Sequence, residues 1–480
     1  MQMTGQMTET TGVQERMGTY NDKPLKLEGK TLVVGMGKTG LSCARYLLSQ
    51  GESVVIWDNR QAPPLLAEIE NILPADDIVL GPFNGVQFSQ CKQIIVSPGV
   101  SINEQAIQHA HAQGVAVFGD VELFARHANA PVIAITGSNG KSTVTALVAA
   151  MLECSGCDVR IGANFGTPAL DLLQTRTPDV YVLELSSFQL ETTTSLNAVA
   201  SVVLNISPDH MDRYDSVSTY MMAKQQIWSG KGVVVLNRDE PALLTTSIKG
   251  RRQIGFTLSV PGATDYGVRI HAGQPWLARG EICLIPVADL KLNGRHNIAN
   301  ALAALALVEA LFDHMAASQP QLSTKLSRAD ALQALADFPG LPHRMEWIAE
   351  AGGVNWYNDS KGTNVGATLA ALQGIDGRVV LIAGGLAKDG DFAPLRPVLA
   401  EKGRVVILIG RDAPLIESVL TDVVACVHAD DMNQVVAQAQ QYAQAGDVVL
   451  LSPACASFDM FNGYEHRGQV FADAVRRALT

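Results

Sequence analysis

Charge is scarce in this chain of 480 residues: Asp, Glu, Lys and Arg make up 17% of it, against roughly 25% in an average globular protein, while apolar residues make up 47%. Extensive disorder, which needs high charge and little apolar material, is excluded. Positive charge is scarcer still. The 36 Lys and Arg against 47 Asp and Glu leave a net charge of -11. That balance excludes a protein whose main role is to neutralise nucleic-acid phosphates, so no nucleic-acid partner is expected and any anionic ligand must meet locally concentrated cations. No run approaches the roughly 20 consecutive apolar residues of a membrane helix, so membrane insertion is not expected. The opening residues, MQMTGQMTETTGVQERMGTY, lack the basic stretch and apolar core of a secretory signal. Residues 1–24 read as a disordered tail on a soluble, cytoplasmic protein. Cysteine offers no framework either: Cys43, Cys91, Cys154, Cys157, Cys283, Cys426 and Cys455 are odd in number and irregular in spacing, which suits reduced thiols. The lone CxxC at Cys154 and Cys157 lacks the second pair or spaced His that a zinc site would need.

What is present is length and alternation. At about 150 residues per domain, the chain predicts about three domains. Short β-branched runs, TLVVGMG, SVVIWD, DIVLGP, QIIVSPG and VAVFG, alternate with amphipathic stretches from Thr31 onward, which predicts an α/β fold with parallel sheets. A second series runs through PVIAIT, YVLELS and ASVVLNIS, and the Gly- and Pro-rich stretch 251–290 predicts a small antiparallel appendage. A third series, RVVLIAGG, RVVILIG, VVACVHA and DVVLLSPA, follows the linker-like FPGLPHR. The expected boundaries fall near 120 and 340, giving domains 25–120, 121–340 and 341–480.

The strongest chemical signal is AITGSNGKSTVTALVAAMLE, an apolar strand running through a glycine turn into a helix. Gly137 and Gly140, with Ser138 and Asn139 between them, let backbone amides approach a phosphate. Lys141 supplies charge at the helix start, where N–H groups are unpaired, Ser142 can ligate Mg²⁺, and Thr143 follows. The usual spacing puts a Gly six residues before the lysine, where this chain has Ile135, so the loop is a shortened TGxxGKST form. The second signal is GMGKTG, with Gly35, Gly37 and Gly40 after a strand and Asp58 at the end of the next. By rule this is a dinucleotide fingerprint, and it keeps an NAD(P)-dependent oxidoreductase with an attached ATPase module as a competing reading.

Further candidates are Glu184 at a strand end, suited to holding a phosphate-bridging Mg²⁺, His210 just after another strand, and Lys224 in an expected helix. Three polar clusters, NGRHNIAN, LPHRMEW and NDSKGTN, read individually as capping or turn chemistry and together as groups for adenine, ribose and γ-phosphate, with Arg344 as the clamp on transferring phosphate. The loop LSPACASFDMFNGYEHRG, directly after an apolar strand, and Lys388 in GGLAKDGDF occupy sheet edges of the kind that bind ligands in open α/β folds.

In their order, TGSNGKST, LELSSFQLE, DHMDRY, LPHR, NDSKGTN and SPACASFDMF resemble the Mur ligases of bacterial cell-wall precursor synthesis, over nearly the whole chain from about Lys26. The last three favour the branch that adds D-glutamate. The resemblance implies three domains: a Rossmann-like one for the uridine nucleotide, a central phosphate-loop ATPase, and a Rossmann-like C-terminal one for the amino acid. It reassigns the first glycines from NAD to UDP, with no nicotinamide cofactor. Lys38, Thr39, Asp58, Asn59, Arg60, Ser97, Pro98 and Gly99 would hold the UDP end of the substrate, and Asn164, Gln189 and His210 its muramoyl-alanine end. ATP would meet Gly137 to Thr143, Asn297, Asn300, Arg344 and Asp359. Two Mg²⁺ sites, with Mn²⁺ as a substitute ion, would use Ser142 with Glu184 and His210 with Lys224, the lysine carbamylated so that it offers a carboxylate. Lys141, Glu184, His210, Lys224 and Arg344 form the implied catalytic set. D-Glutamate would meet Thr363, Lys388, Ser457, Phe458 and Tyr464, where Phe458 and Tyr464 stand in place of the family's Leu and Phe, and Gly362 in place of its Ala. The implied partners are small molecules: UDP-N-acetylmuramoyl-L-alanine, D-glutamate and ATP, acted on by a monomer. A sister ligase adding another amino acid is the nearest alternative.

Overall fold

The structure is a computed structural model and describes residues 26–83, 88–174, 176–244, 248, 250–292, 294–324 and 326–479. The expected tail at 1–24 and Asn293 of the NGRHNIAN cluster lie outside the described residues. Internal contacts divide the described residues into two compact units, one comprising those up to 136 with 157–201 and 223–232, the other those of 137–156, 202–222 and from 233 onward.

In the first unit, β1 (Thr31–Val34), β2 (Val54–Asp58), β3 (Ile78–Leu80), β4 (Gln93–Val96) and β5 (Ala116–Gly119) form a wholly parallel sheet in the order β3-β2-β1-β4-β5. Every residue of β1, β2 and β3 is buried, as a parallel sheet covered on both faces requires. One face packs Leu32, Val34, Val55, Trp57, Ile94 and Val96 against Phe88 and Ile107. Strand order reverses between β1 and β4, and crevices at such switch points are where open α/β sheets bind ligands. The same unit holds β6 (Val132–Thr136), β7 (Val159–Ala163) and β8 (Val180–Glu184), parallel in the order β6-β8-β7, with Ile135 opposite Glu184. The chain passes through β9 (Ala200–Val203) to the second unit.

In the second unit, β10 (Val233–Asn237), β11 (Gln253–Phe256) and β12 (Tyr266–His271) run parallel. β12, β13 (Gln274–Arg279) and β14 (Ile282–Pro286) then form the antiparallel appendage expected at 251–290. The 24-residue helix Arg295–Ser318 is long and apolar enough by composition to cross a membrane, although its sequence holds no unbroken apolar run of that length. Its most apolar window is 78% buried inside the protein, the signature of a core helix. Its alanines let it pack closely on the helix Lys141–Cys154. A six-stranded sheet follows in the order β15-β16-β20-β17-β18-β19, from β15 (Glu346–Ala351), β16 (Val354–Asn358), β17 (Val379–Gly384), β18 (Gly403–Ile409), β19 (Cys426–His428) and β20 (Val448–Leu451). Only β15 pairs antiparallel. Because side chains alternate across a strand, Leu381, Val406 and Leu450 enter one core while Val380, Val405 and Val449 enter the other. All seven cysteines are free thiols, Cys154 exposed and Cys157 buried.

Candidate active site

The loop between β6 and the helix Lys141–Cys154 is shaped by two glycines and fastened by polar side chains. Gly140 caps the helix at φ +85°, and a Cβ there would lie 2.5 Å from Asn300 Oδ1. At Gly137, φ +152°, a Cβ would lie 2.9 Å from Leu204 Cβ. The Ser138 amide donates to Asn205 O at 3.0 Å, and the Asn139 amide to Asn205 Oδ1 at 2.9 Å, while Asn205 Nδ2 returns a bond to Asn139 O at 3.0 Å. Ser138 Oγ accepts from the Ser207 amide at 2.9 Å and lies 3.2 Å from Tyr220 Oη. Lys141 Nζ donates to the carbonyls of Gly137 and Ser138 at 2.9 and 2.8 Å, and Arg344 Nη2 donates to Ser142 Oγ at 2.6 Å. These neutral oxygens are acceptors that a phosphate would outcompete, since hydrogen bonds to an ionised acceptor are roughly twice as strong.

Beside the loop is a cavity of about 320 Å³ whose walls include Asn139, Gly140, Asn297, Asn300, Arg344 and Asp359. With Thr143, which also lines it, the structure thus brings together seven residues of the expected ATP set from separate stretches of sequence. Asn300 Nδ2 donates to Asn297 Oδ1 at 3.2 Å. Burial pushes the Asp359 carboxyl up to about 7, against a bond from Ser452 Oγ at 2.7 Å and the nearby Arg344 charge. Arg344 sits between two residues in the left-handed region, His343 at φ +61° and Met345 at φ +49°, a costly backbone that its surroundings must hold in place. Holding it are the Lys361 amide, which donates to His343 O at 3.1 Å, and Asn358 Nδ2, 2.9 Å from His343 Nδ1. Asn364 caps the helix Val365–Gln373 through the Ala367 amide at 2.9 Å and reaches Asn139 Oδ1 at 3.2 Å and Asp209 Oδ2 at 3.1 Å. Members of this wall that sequence reasoning did not single out include Glu240, whose carboxyl burial pushes up; His296, in the NGRHNIAN cluster, whose Nδ1 is buried without a partner; and Lys361. Lys361 lies within the NDSKGTN cluster, so a signal for it is present in the sequence.

The residues expected to receive D-glutamate lie on loops at the C-terminal ends of β16, β17 and β20. The loop 359–363 carries Thr363 and is joined to the loop after β20 by the Ala454 amide donating to Gly362 O at 2.8 Å. Ser457 is buried and Phe458 is 73% exposed. Tyr464 opens the helix Tyr464–Leu479, with Lys361 Nζ 3.9 Å above its ring centroid. Lys388, at φ +49°, follows Leu386, which exchanges backbone bonds of 2.9 Å with Ala456.

In the first unit, Lys38 and Thr39 open the helix Lys38–Ser49 after β1, and Ser97, Pro98 and Gly99 follow β4, so both groups flank the switch point. Asn59 and Arg60 follow Asp58 at the end of β2. Asp58 is engaged internally, accepting from the Met36 amide at 2.7 Å, the Arg60 amide at 3.0 Å, and Arg60 Nε and Nη2 at 2.7 and 2.6 Å. Burial pushes its carboxyl up, but these bonds and the guanidinium charge hold it below the usual range. Asn164 Nδ2 donates to Glu184 Oε1 at 2.6 Å, and Ala163 before it takes φ +76°. Gln189 forms a capping box with Ser186 and donates to Asp120 Oδ2 at 3.3 Å. Asp120 escaped sequence reasoning. Burial pushes its carboxyl up to about 6, and its Oδ1 is buried without a partner. Lys224, 2% exposed, lies 3.5 Å from Thr136 Oγ1. His210, in the second unit, takes φ +58°. Among the described residues no three of His, Cys, Asp and Glu gather around a metal-sized point. Among the four expected ligands, Glu184 offers a carboxylate, His210 an imidazole and Ser142 a hydroxyl, whereas Lys224 as an amine offers a hard cation no oxygen.

A switch-point sheet, a phosphate loop and a cavity of amides and cations define a nucleotide-binding α/β protein. Its sequence matches three family models in succession: the Mur ligase MurD-like N-terminal domain at 29–119, the Mur ligase middle domain at 135–308 and the Mur ligase glutamate ligase domain at 343–455. The chain belongs to the Mur ligase family. Proteins named "UDP-N-acetylmuramoylalanine--D-glutamate ligase" from Nitrosococcus oceani and Coxiella burnetii are 50% and 44% identical to it. The first alignment covers 94% of this chain and 97% of the relative, the second 93% and 99%. Among solved structures, the pseudomurein peptide ligase type C of Methanothermus fervidus superposes with a TM-score of 0.59 at 18% identity, covering 94% of this chain and 100% of that one. MurF ligase from Thermotoga maritima, in complex with ADP, gives 0.57 at 16%, covering 96% and 99%. These likenesses establish the three-domain α/β fold.

Proposed function

We propose that the chain is an ATP-dependent ligase that adds D-glutamate to UDP-N-acetylmuramoyl-L-alanine in peptidoglycan precursor synthesis. The observation that carries this reading is near end-to-end identity of 44 to 50% to ligases bearing that name. The walls of the phosphate-loop cavity support it. The substrate's alanyl carboxylate attacks the γ-phosphorus of ATP, forming an acyl phosphate and releasing ADP. The amine of D-glutamate attacks the acyl carbon, and the tetrahedral intermediate collapses to amide and inorganic phosphate as the nitrogen loses its proton.

The electrostatic difficulty is to bring a carboxylate to a polyphosphate, and preorganised cations are the means of solving it. Lys141, which donates to the carbonyls of Gly137 and Ser138, and Arg344, which donates to Ser142 Oγ, exchange those acceptors for phosphate oxygens. Asn297, Asn300 and Asp359 hold the nucleoside, with the loop 137–140 on its phosphates. Ser142 with Glu184, and His210 with a carbamylated Lys224, would hold Mg²⁺ or Mn²⁺, which when bound would neutralise charge at the phosphates. Lys38, Thr39, Asp58, Asn59, Arg60 and the turn Ser97–Gly99 serve the uridine end, and Asn164, Gln189 and His210 the muramoyl-alanine end. Thr363, Lys388, Ser457, Phe458 and Tyr464 receive D-glutamate. Three domains, 25–120, 121–340 and 341–480, divide these roles in a cytoplasmic monomer. Phosphate release from ATP, measured with UDP-N-acetylmuramoyl-L-alanine and each amino acid in turn, tests the proposal. Release with D-glutamate alone is expected, and release with L-alanine or a diamino acid instead would assign the chain to a sister ligase.

A further inference from the structure

Arg467 is wholly buried, at 0% exposure, on the first turns of the helix Tyr464–Leu479. Its three guanidinium nitrogens donate to neutral oxygens: Nε to Ser360 Oγ at 3.0 Å, Nη2 to Ser360 O at 2.8 Å and Nη1 to Cys455 O at 3.1 Å. No carboxylate of the described residues lies within ion-pair distance of it, and Asp359 and Asp459 act on it only from farther off. Burial pulls the guanidinium down to about 10, so it remains a cation at neutral pH.

A buried charge without a counter-ion is expensive, and replacing it by apolar packing would ordinarily stabilise the fold. Its location suggests why it is kept. Ser360 lies between Asp359 and Lys361 on the loop that leads to Thr363, and Cys455 lies two residues before Ser457. Arg467 therefore fastens from below the two loops proposed to receive D-glutamate. Neighbouring bonds add to this fastening, with Ser360 Oγ donating to Tyr464 O at 2.8 Å and Asn358 Nδ2 to Gly468 O at 3.2 Å. A Cβ on Gly468 would lie 2.4 Å from His343 Nδ1, so the same helix turn also braces the strained linker beside Arg344.

We infer that Arg467 is a positioning residue with two separable effects: its hydrogen-bond fan sets the geometry of the loops 359–363 and 452–457, and its charge, without a carboxylate at ion-pair distance, favours a dicarboxylate amino acid at those loops. This rests on the D-glutamate reading of the site. Steady-state kinetics of Arg467→Lys and Arg467→Met test it, with D-glutamate and ATP varied separately. Lysine keeps the charge but loses most of the fan, so KM for D-glutamate should stay within about threefold while kcat falls about tenfold or more. Methionine loses both, so KM for D-glutamate should also rise about tenfold or more, the scale of a lost charge-assisted interaction. KM for ATP should change in neither. Equal KM for D-glutamate in the two variants overturns the electrostatic part, and a matching rise in KM for ATP reduces the residue to general support. Should either variant fail to fold, Ser360→Ala keeps the charge and removes one acceptor. It should lower kcat with KM for D-glutamate unchanged, and an unchanged kcat refutes the positioning part. Wild-type enzyme without D-glutamate-dependent phosphate release would instead refute the underlying function.

Discussion

Replacing Gly140 by Ala asks the phosphate loop for two things it cannot supply. The residue caps the helix Lys141–Cys154 at φ +85°, where a residue with a side chain incurs about 1–2 kcal/mol for the left-handed backbone. The new methyl would also lie 2.5 Å from Asn300 Oδ1, well inside contact distance. Asn300 is 7% exposed and bonded to Asn297, so it cannot swing into solvent. Displacing it loses a net hydrogen bond of about 0.5–1.5 kcal/mol. The two effects sum to about 1.5–3.5 kcal/mol, which is about 10- to 400-fold in kcat/KM for ATP if they fall on the nucleotide complex. Gly51→Ala is the control: φ is +77°, but nothing lies within 4 Å of the added methyl. It should destabilise the protein by the backbone amount alone and leave ATP kinetics unchanged. Phosphate release against ATP concentration, with melting curves for both variants, makes the comparison. A Gly140→Ala enzyme with kcat/KM for ATP no worse than that of Gly51→Ala would refute the claim that this glycine shapes the nucleotide site.

Two further outcomes are expected. Lys224→Ala should lose activity, and short carboxylic acids added to the assay should partly restore it; full turnover in the unrescued variant would sink the carbamate proposal. Asp359 should make the folded state less stable as pH rises: its carboxyl is held up at about 7 in the fold against an ordinary 3.8, so between those values the unfolded chain sheds a proton that the folded chain keeps. The penalty is absent below about pH 4 and complete above about 7. The melting temperature of Asp359→Asn minus that of the wild type should therefore increase across that window, and a flat difference in calorimetry would contradict the buried, charge-averse setting.

Much of this molecule was legible in its sequence because the signals were local. Apolar β-branched runs became buried parallel strands, and glycines beside a GKST sequence became a strand–loop–helix turn, since both depend on neighbours in the chain. The 24-residue helix was harder: its Asn, Glu and Asp break the apolar run, and only packing reveals how much of it is interior. Asp58 reads as a ligand-binding acid from its place at a strand end. The structure shows it bonded to Met36 and Arg60, and the bond to the Arg60 amide two residues on is a local turn pattern that the sequence could have suggested. The rest was long-range. Ser138 meets Tyr220 across 82 positions, Arg467 meets Ser360 across 107, and Asn364 meets Asn139 across 225, and no periodicity or spacing encodes such pairs.

The distribution of arginine partners ties the chain's poverty in positive charge to its proposed chemistry. Arg60, Arg126, Arg279, Arg396 and Arg404 each have a carboxylate partner within 3.0 Å, and their charges are largely cancelled before any ligand arrives. Arg344 and Arg467 differ: the bonds each makes go to a serine hydroxyl or to backbone carbonyls, with no ion pair to either among the described residues. A cation held by neutral dipoles keeps its field, and in a partly dry pocket that field acts at an effective dielectric far below that of water. A protein of net charge -11 gains nothing from adding lysines to its surface, where water and salt would screen them. It can, however, fix arginines on uncharged supports, Arg344 in the cavity wall and Arg467 on the backbone and hydroxyl oxygens of Ser360 and Cys455, and leave the anionic substrates to supply the counter-charge. On this reasoning, placing a carboxylate beside either arginine would impair the enzyme more than deleting an exposed arginine such as Arg396, and kcat/KM for phosphate release would show the difference. The added acid cancels the field at the reacting groups, whereas the deletion changes only a pair already neutral at a distance.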